Sequence, residues 1–408
     1  MEIMAPAGNF ESLYAAIKAN ADSIYFGVEN LNMRSNSSNF KLKDLKKIAF
    51  ICKKNKIKTY LTLNTIIYDS DIDLLKKICD LAKKFNITAI IACDVAVMQY
   101  AKSINLEVHS STQLNISNLE AVKFYSKFVD VIVLARELTL PQIEYICKKI
   151  KELKITGPSG NLIKIELFCH GALCVSISGK CYMSLSTFNS SANRGACLQN
   201  CRRSYRVIDD QTNQELVIDN KYVMSPKDLC TIQFLDKLDL VGVSVLKIEG
   251  RARPPEYVYT VTKVYKEAIN AIKNKTYTKQ KINSWIEQLS TVYNRGFWHG
   301  GYYLGKELDS WSGIYGPNST KVKKFIGIVT NYFSKKKIAS ILLQTNEVKK
   351  LQNLIIIGPT TGILNIDLKK IFIDDKEVNL AKKGDVFTIE IPEKVRKNDK
   401  VYLWIDRK

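Results

Sequence analysis

No run of 18 or more apolar residues occurs in this 408-residue chain, which excludes a hydrophobic helix long enough to span a bilayer. The opening Met-Glu-Ile-Met-Ala-Pro-Ala-Gly lacks a basic segment followed by an apolar one, so no secretory leader is expected. The two absences point to a cytoplasmic protein whose thiols stay reduced. Disulfides are then a poor account of its ten cysteines. Internal repeats and long low-complexity segments are missing too. No Gly-x-Gly-x-x-Gly turn follows the first apolar run, which argues against an open dinucleotide-binding sheet. There is no His-Glu-x-x-His and no Ser-His-Asp order, so no protease constellation is legible.

Apolar residues make up 46 % of the chain and charged residues 25 %, ordinary values for a globular protein of two or three domains. The net charge of +21 favours a polyanionic partner, RNA first. A solvated lysine surface is the competing account, because most of the excess is Lys scattered along helical patterns. Arginine is scarcer, and Arg194, Arg202, Arg203, Arg206, Arg251 and Arg253 lie close together in the chain. Guanidinium forks suit carboxylate and phosphate.

Six cysteines fall within 62 residues: Cys169, Cys174, Cys181, Cys197, Cys201 and Cys230. Reduced thiols gathered this way hold a soft metal centre or do thiol chemistry. Zinc ribbons pair cysteines two to four residues apart, twice, and only Cys197 and Cys201 meet that spacing. An iron–sulfur cubane accepts the looser pattern, so an iron–sulfur cluster is expected, with zinc as the alternative. Cys52, Cys79, Cys93 and Cys147 sit in helical or strand patterns and read as small buried apolar residues.

Eight apolar runs read as buried strands: 2–5, 23–28, 58–64, 89–94, 106–110, 131–135, 164–169 and 244–249. Amphipathic helical patterns at 11–20, 43–55, 71–86, 96–104, 118–128 and 141–153 separate most of them. The alternation predicts an α/β fold, a closed (β/α)8 TIM-like barrel with a Cys-rich insertion at about 170–235, after the seventh strand. A further helix is expected at 255–273, and the Gly- and aromatic-rich 292–305 should cross one end of the barrel. Gly, Pro, Ser and Asn cluster at 310–324. The barrel domain is therefore placed at 1–310 and a small all-β barrel at 325–408.

Barrel chemistry sits at the C-terminal ends of the strands. That rule gathers Asn64, His109, Gln113, Arg136, His170, Glu249 and Arg251 at one mouth. His109, His170 and Glu249 are the candidate catalytic groups; Asn64, Gln113, Arg136 and Arg251 are the candidate substrate ligands. A direct Cys169–His170 dyad is disfavoured, since neighbours on a strand point to opposite faces.

Glu166-Leu-Phe-Cys-His-Gly-Ala-Leu-Cys174 followed by Gly179-Lys-Cys181-Tyr-Met-Ser184 resembles the signature of the peptidase U32 family. Asn193-Arg-Gly-Ala-Cys197, Lys247-Ile-Glu-Gly-Arg251 and Asn294-Arg-Gly-Phe297 look like the family as well, and the resemblance covers about residues 1–305. It implies a 4Fe-4S cluster on Cys174, Cys181, Cys197 and Cys230, with Cys201 as the alternative to Cys197. It also implies oxygen-independent hydroxylation of RNA. Length and the β-rich tail favour the branch that converts wobble uridine of tRNA to 5-hydroxyuridine with prephenate as co-substrate. Arg136 and Arg251 would then clamp the carboxylates. A collagenase-like peptidase and a zinc-containing RNA-binding protein are the rival readings.

Overall fold

The computed structural model describes residues 1–216, 221–299, 301–305, 310–314 and 316–407. Within the expected domain spans, residues 217–220, 300, 306–309 and 408 lie outside the described residues, as does residue 315 between the two spans.

The alternating pattern folds as its periodicity dictates. Strands β1 (Glu2–Pro6), β2 (Ser23–Phe26), β3 (Lys58–Leu63), β4 (Ala89–Ala92), β5 (Glu107–Ser110), β6 (Val131–Val133) and β7 (Lys164–Gly171) pair in parallel with their chain neighbours. The short hairpin β8 (Val207–Ile208) and β9 (Glu215–Leu216) and strand β10 (Asp228–Cys230) belong to the insertion. Strand β11 (Val245–Ile248) lies between β7 and β1 and closes the barrel at eight parallel strands.

Helices α1 (Phe10–Lys18), α2 (Leu45–Lys54), α3 (Ile72–Lys84), α4 (Val95–Ser103), α5 (Leu119–Tyr125) and α6 (Leu140–Glu152) cover the outside. Their boundaries follow local chemistry. Asn9, Asp94 and Asn118 cap N-termini through side-chain oxygens that accept backbone N–H groups. Thr139 and Gln142 form a capping box around Pro141 at the start of α6. Asn20, Asn86 and Asn105 take the left-handed conformation just past helix ends. The expected 255–273 helix is present as Pro255–Lys273, and Lys279–Ser290, which the periodicity did not single out, packs beside it.

Strand alternation turns Tyr25, Tyr60, His109, Glu166 and Lys247 into the barrel interior, above an apolar layer that includes Met4, Ile91, Val131 and Val245. Glu166 is wholly buried and accepts a hydrogen bond from Lys247 Nζ at 2.8 Å. Its second oxygen stands 3.8 Å from His109 Nδ1, an ion-pair distance too long for a hydrogen bond. His109 Nε2 reaches Glu107 at 3.2 Å. A charged cluster therefore sits inside the barrel.

One irregularity shapes the mouth. The β7–β11 register slips between Lys247 and Ile248: Lys247 faces Phe168, but Ile248 faces His170. Cys169 and His170 both lie against Tyr265, whose hydroxyl donates to the Cys169 carbonyl at 2.8 Å and meets His170 Nδ1 at 3.3 Å. The outer end of β7 then pairs antiparallel with β10, which in turn pairs with Phe297–His299 (β12) from the 292–305 segment.

The C-terminal part is all-β, as expected. Its strands order as Gly362–Asp367, Asn353–Gly358, Lys400–Asp406, Lys321–Phe333, Ile338–Leu343, Val386–Glu390, Ile371–Ile373 and Lys376–Val378. All of the pairings are antiparallel around one core that includes Ile341, Phe387 and Leu403. The end strands do not pair with each other among the described residues, so this is a curled sheet where a closed barrel was expected. Ile355, Ile357 and Ile363 join the barrel's own core cluster, and Lys18 reaches Glu393 at 2.6 Å, which fixes the sheet against α1.

Candidate functional site

The C-terminal ends of the barrel strands and the insertion enclose a cavity of about 270 Å³. Its wall carries seven cations: Arg34, Arg136, Arg202, Lys247, Arg251, Arg253 and Arg295. Among the described residues the one carboxylate on it is Glu249.

Several of the cations already have partners in the protein. Arg202 staples the insertion, donating to the Leu173 carbonyl at 2.5 Å and the Pro226 carbonyl at 2.9 Å. Arg251 donates to Thr62 Oγ1 at 2.9 Å and Asn32 Oδ1 at 3.0 Å. Gly27 makes room for it, since a Cβ there would stand 2.3 Å from the Arg251 guanidinium. Burial first of all pulls the Arg251 pKa down to about 10, still cationic at neutral pH. Arg34 donates to Glu249 at 2.8 Å. Burial alone would raise the Glu249 carboxyl; Arg34 foremost, then Arg136 and Arg251, bring it down to about 2. Glu249 is thus a fixed anion. It is unsuited to exchanging protons near neutrality, as a general acid or base must.

Arg136 differs. Its guanidinium lies 4.2 Å over the Phe168 ring and makes one long hydrogen bond, 3.4 Å to the Ala172 carbonyl. Its buried Nε has no partner. With positive charge in excess and this donor unmet, the cavity suits an anion with oxygens to share.

Cys174, Cys181, Cys197 and Cys201 line the same cavity, and all four are free thiols. Cys174 Sγ meets Ser176 Oγ at 3.5 Å, and the Gln199 amide donates to Cys197 Sγ at 3.4 Å. The Cys201 thiol is raised, first by burial, while Arg202 opposes; Cys174, Cys197 and Cys181 add to the rise, which places all four within electrostatic reach. Gly195, at φ +85°, brings this segment against the Asn32 carbonyl, where a Cβ would stand only 2.1 Å away. Four thiols round one space could hold a multi-metal cluster. Among the described residues no three His, Cys, Asp or Glu side chains stand close enough to ligate one metal ion.

Cys230 is not part of this group. Its strand pairs with the outer end of β7 opposite His170, so its side chain packs outside the barrel, fully buried, 3.9 Å from the Tyr265 hydroxyl. Burial pushes its thiol up to about 12. Of the cysteines that the resemblance implied, Cys174, Cys181 and Cys197 therefore line the cavity together with Cys201, the expected alternative to Cys197, while Cys230 packs behind β7.

The other expected residues divide. Asn64 and Gln113 line the cavity, the Gln113 amide donating to the Asn64 carbonyl at 2.8 Å. His170 does not reach it. It lies in a box of Tyr257, Tyr265 and Phe297, and burial foremost lowers it to about 3, so it stays neutral. His109 lies deeper in the barrel, beside Glu166 and Tyr60, and is not on the cavity wall. Arg34, Lys247 and Arg295 were missed as site residues. Arg34 is 215 residues from Glu249 in the chain, and nothing local to it signals that pairing.

Comparison with known proteins places the chain. The family model described as "Peptidase family U32" matches residues 8–313. A protein of Porphyromonas gingivalis named "Collagenase" is 53 % identical over 100 % of this chain and 98 % of its own length. A tRNA hydroxylation protein of Bacillus subtilis is 31 % identical over 92 % of this chain and 87 % of its own. A 23S rRNA 5-hydroxycytidine synthase of Escherichia coli is 34 % identical over 67 % of this chain and 40 % of its own. The signature around Cys174 and Cys181, the (β/α)8 barrel and the extent of the match agree, and the chain belongs to peptidase family U32.

Proposed function

We propose that this protein is an RNA-modifying enzyme that hydroxylates a pyrimidine base, with wobble uridine of tRNA the expected target and 5-hydroxyuridine the product. One observation carries the reading: four free thiols and a surplus of guanidinium groups share a single cavity at the barrel mouth. Relatives named for tRNA hydroxylation and rRNA hydroxycytidine synthesis support it.

The donor set fits a 4Fe-4S cluster on Cys174, Cys181, Cys197 and Cys201. Zinc needs its sulfurs about 2.3 Å away around one ion, whereas a cubane lets each thiolate bind its own iron, so the thiols stand further apart. That matches four thiols round one cavity with no single-ion site among the described residues. Such a cluster supplies the redox or Lewis-acid centre that side chains lack. The protein's own residues bind and orient. Arg136, with its open donors, and Arg251 behind it hold the carboxylates of a small dianion such as prephenate. Phe168 keeps Arg136 flat against the wall. Glu249, held ionised by Arg34, repels a second anion from that corner.

Collagenase-like proteolysis is favoured by the name of the Porphyromonas relative. The cavity gives it little support. No histidine lines it, Glu249 is pinned as an anion, and Lys247 is ion-paired to Glu166.

The test is nucleoside mass spectrometry of tRNA from a deletion strain. Loss of 5-hydroxyuridine derivatives, restored by the parent gene, is expected. An unchanged profile, with no second route to the nucleoside, overturns the assignment. Anaerobically purified protein should carry iron and sulfide near four each per chain. Cys201→Ser should abolish that content and Cys230→Ser retain it; the reverse pattern refutes the ligand set.

A further inference from the structure

The rim of the cavity carries a feature the proposed chemistry does not use. From Leu167 to Ile208 the chain contains no Asp or Glu, while Lys180, Arg194, Arg202, Arg203 and Arg206 fall within it. On that stretch large rings face solvent. Tyr182, next to Cys181 of the cavity wall, is 71 % exposed, and Phe188, at the end of helix Met183–Phe188, is 50 % exposed. Arg203 places its guanidinium 5.1 Å from the Phe188 ring. Across the mouth, Tyr68 is exposed on the loop after β3, with Arg194 4.2 Å over its ring. That loop is tied to the insertion: the Ile66 amide donates to the Asn193 carbonyl at 3.3 Å, and Arg194 is fixed by Asp71 at 2.6 Å. Asp69 leaves some negative charge at this edge, so the basic side of the rim is the insertion.

Exposed rings with arginine beside them are the makings of a base-stacking platform. Every base offers a π-face, and the cations track the backbone. A duplex hides those faces inside its stack. The thiols and guanidinium groups line a recess at the barrel mouth, so a target nucleotide must leave its stack to reach them. We infer that Tyr182 and Phe188, with Arg203 and Lys180, form a platform for unpaired nucleotides flanking the target, and that the rim thereby selects single-stranded loops of RNA over helical RNA. The inference rests on the RNA-modification reading and names how that substrate is recognised.

The test uses anaerobically purified full-length protein and fluorescence anisotropy. One probe is a short RNA stem-loop with an unpaired pyrimidine-rich loop; the other is a fully paired duplex of equal length. Tyr182→Ala and Phe188→Ala are each expected to weaken stem-loop binding by about 5- to 150-fold, the range for loss of one stacked base. Neither should change the salt dependence. Arg203→Ala should reduce the slope of log K against log salt by about 0.7. Tyr182→Phe should bind as the parent does, and unchanged iron content shows that the fold is intact. The platform is overturned if the double variant Tyr182→Ala/Phe188→Ala binds the stem-loop as tightly as the parent, or if loop and duplex lose affinity equally. If that variant also still modifies RNA, only the platform fails. A parent protein that binds neither RNA but retains gelatin defeats the RNA reading itself and identifies the rim as a protein-binding surface.

Discussion

Replacing Lys247 by Met removes the cation that neutralises Glu166. Glu166 is fully buried, Lys247 is 6 % exposed, and they meet at 2.8 Å. His109, at 3.8 Å, is a weaker substitute. Breaking a buried pair by removing one partner costs about 3–5 kcal/mol, because the other charge is left uncompensated. A barrel of roughly 300 residues loses ~0.6 kcal/mol of stability per degree near its melting point. The variant should therefore melt about 5–8 °C below the parent at pH 7. The double change Glu166→Leu/Lys247→Met, which removes both charges, should recover most of that loss. Differential scanning calorimetry checks both.

The pH dependence gives a second handle. Burial alone would raise the Glu166 carboxyl, but Lys247 first and His109 next hold it below its ordinary value. In the parent that contribution is present above the unfolded pKa of about 4.3 and fades as pH falls through the depressed folded value. Without Lys247 the carboxyl titrates higher, so the gap between variant and parent should close as the pH is lowered towards 5. A gap under 2 °C, or one that stays constant with pH, refutes this account of the barrel interior.

Further outcomes follow from neighbouring features. Burial works against protonating His109, but Glu107 and Glu166 outweigh it and raise its pKa. Its stabilisation is full below about pH 6.5 and lost as pH rises through the folded value. His109→Gln should flatten that alkaline decline in melting temperature, and an unaltered profile refutes the role. Gly195→Ala forces a Cβ to within 2.1 Å of the Asn32 carbonyl at φ +85°, and Asn32 holds Arg251. It should lower the melting temperature and deplete the iron content. Gly160→Ala, also at positive φ but with nothing within 4 Å, should cost only about 1 kcal/mol. Equal effects from the two glycines, read by calorimetry and iron assay, refute the close-approach argument.

The eight barrel strands were legible because each is a short apolar run bounded by turn residues, and six of the covering helices because their apolar faces recur at helical spacing. The cavity cysteines were legible by their density, though not that Cys201 lines the cavity and Cys230 lies off its wall. Cys230 has the chemistry of a ligand and lies in the right stretch, but strand pairing on β7 turns it outward, and pairing of distant segments leaves no local trace. Arg136 and Arg251 could be placed because strand ends define the mouth. Arg34 sits in a loop with no period to locate it, and its partner comes from the other end of the barrel sequence. The slip between β7 and β11 was illegible for a related reason, since a register slip is a property of two strands together and neither sequence announces it.

The insertion leaves the barrel at Gly171 and returns at Leu229 and Cys230, directly opposite on the same strand. Both of its ends are thus stitched to one short ladder, while Val207, Ile208 and Glu215 of its hairpin are exposed to solvent. A loop clamped at its base can be lengthened or trimmed at its tip with little entropic consequence for what the base holds in place. The exposed hairpin is therefore where related chains are free to differ in length, and where a tag or fused module can be attached while the cavity keeps its shape.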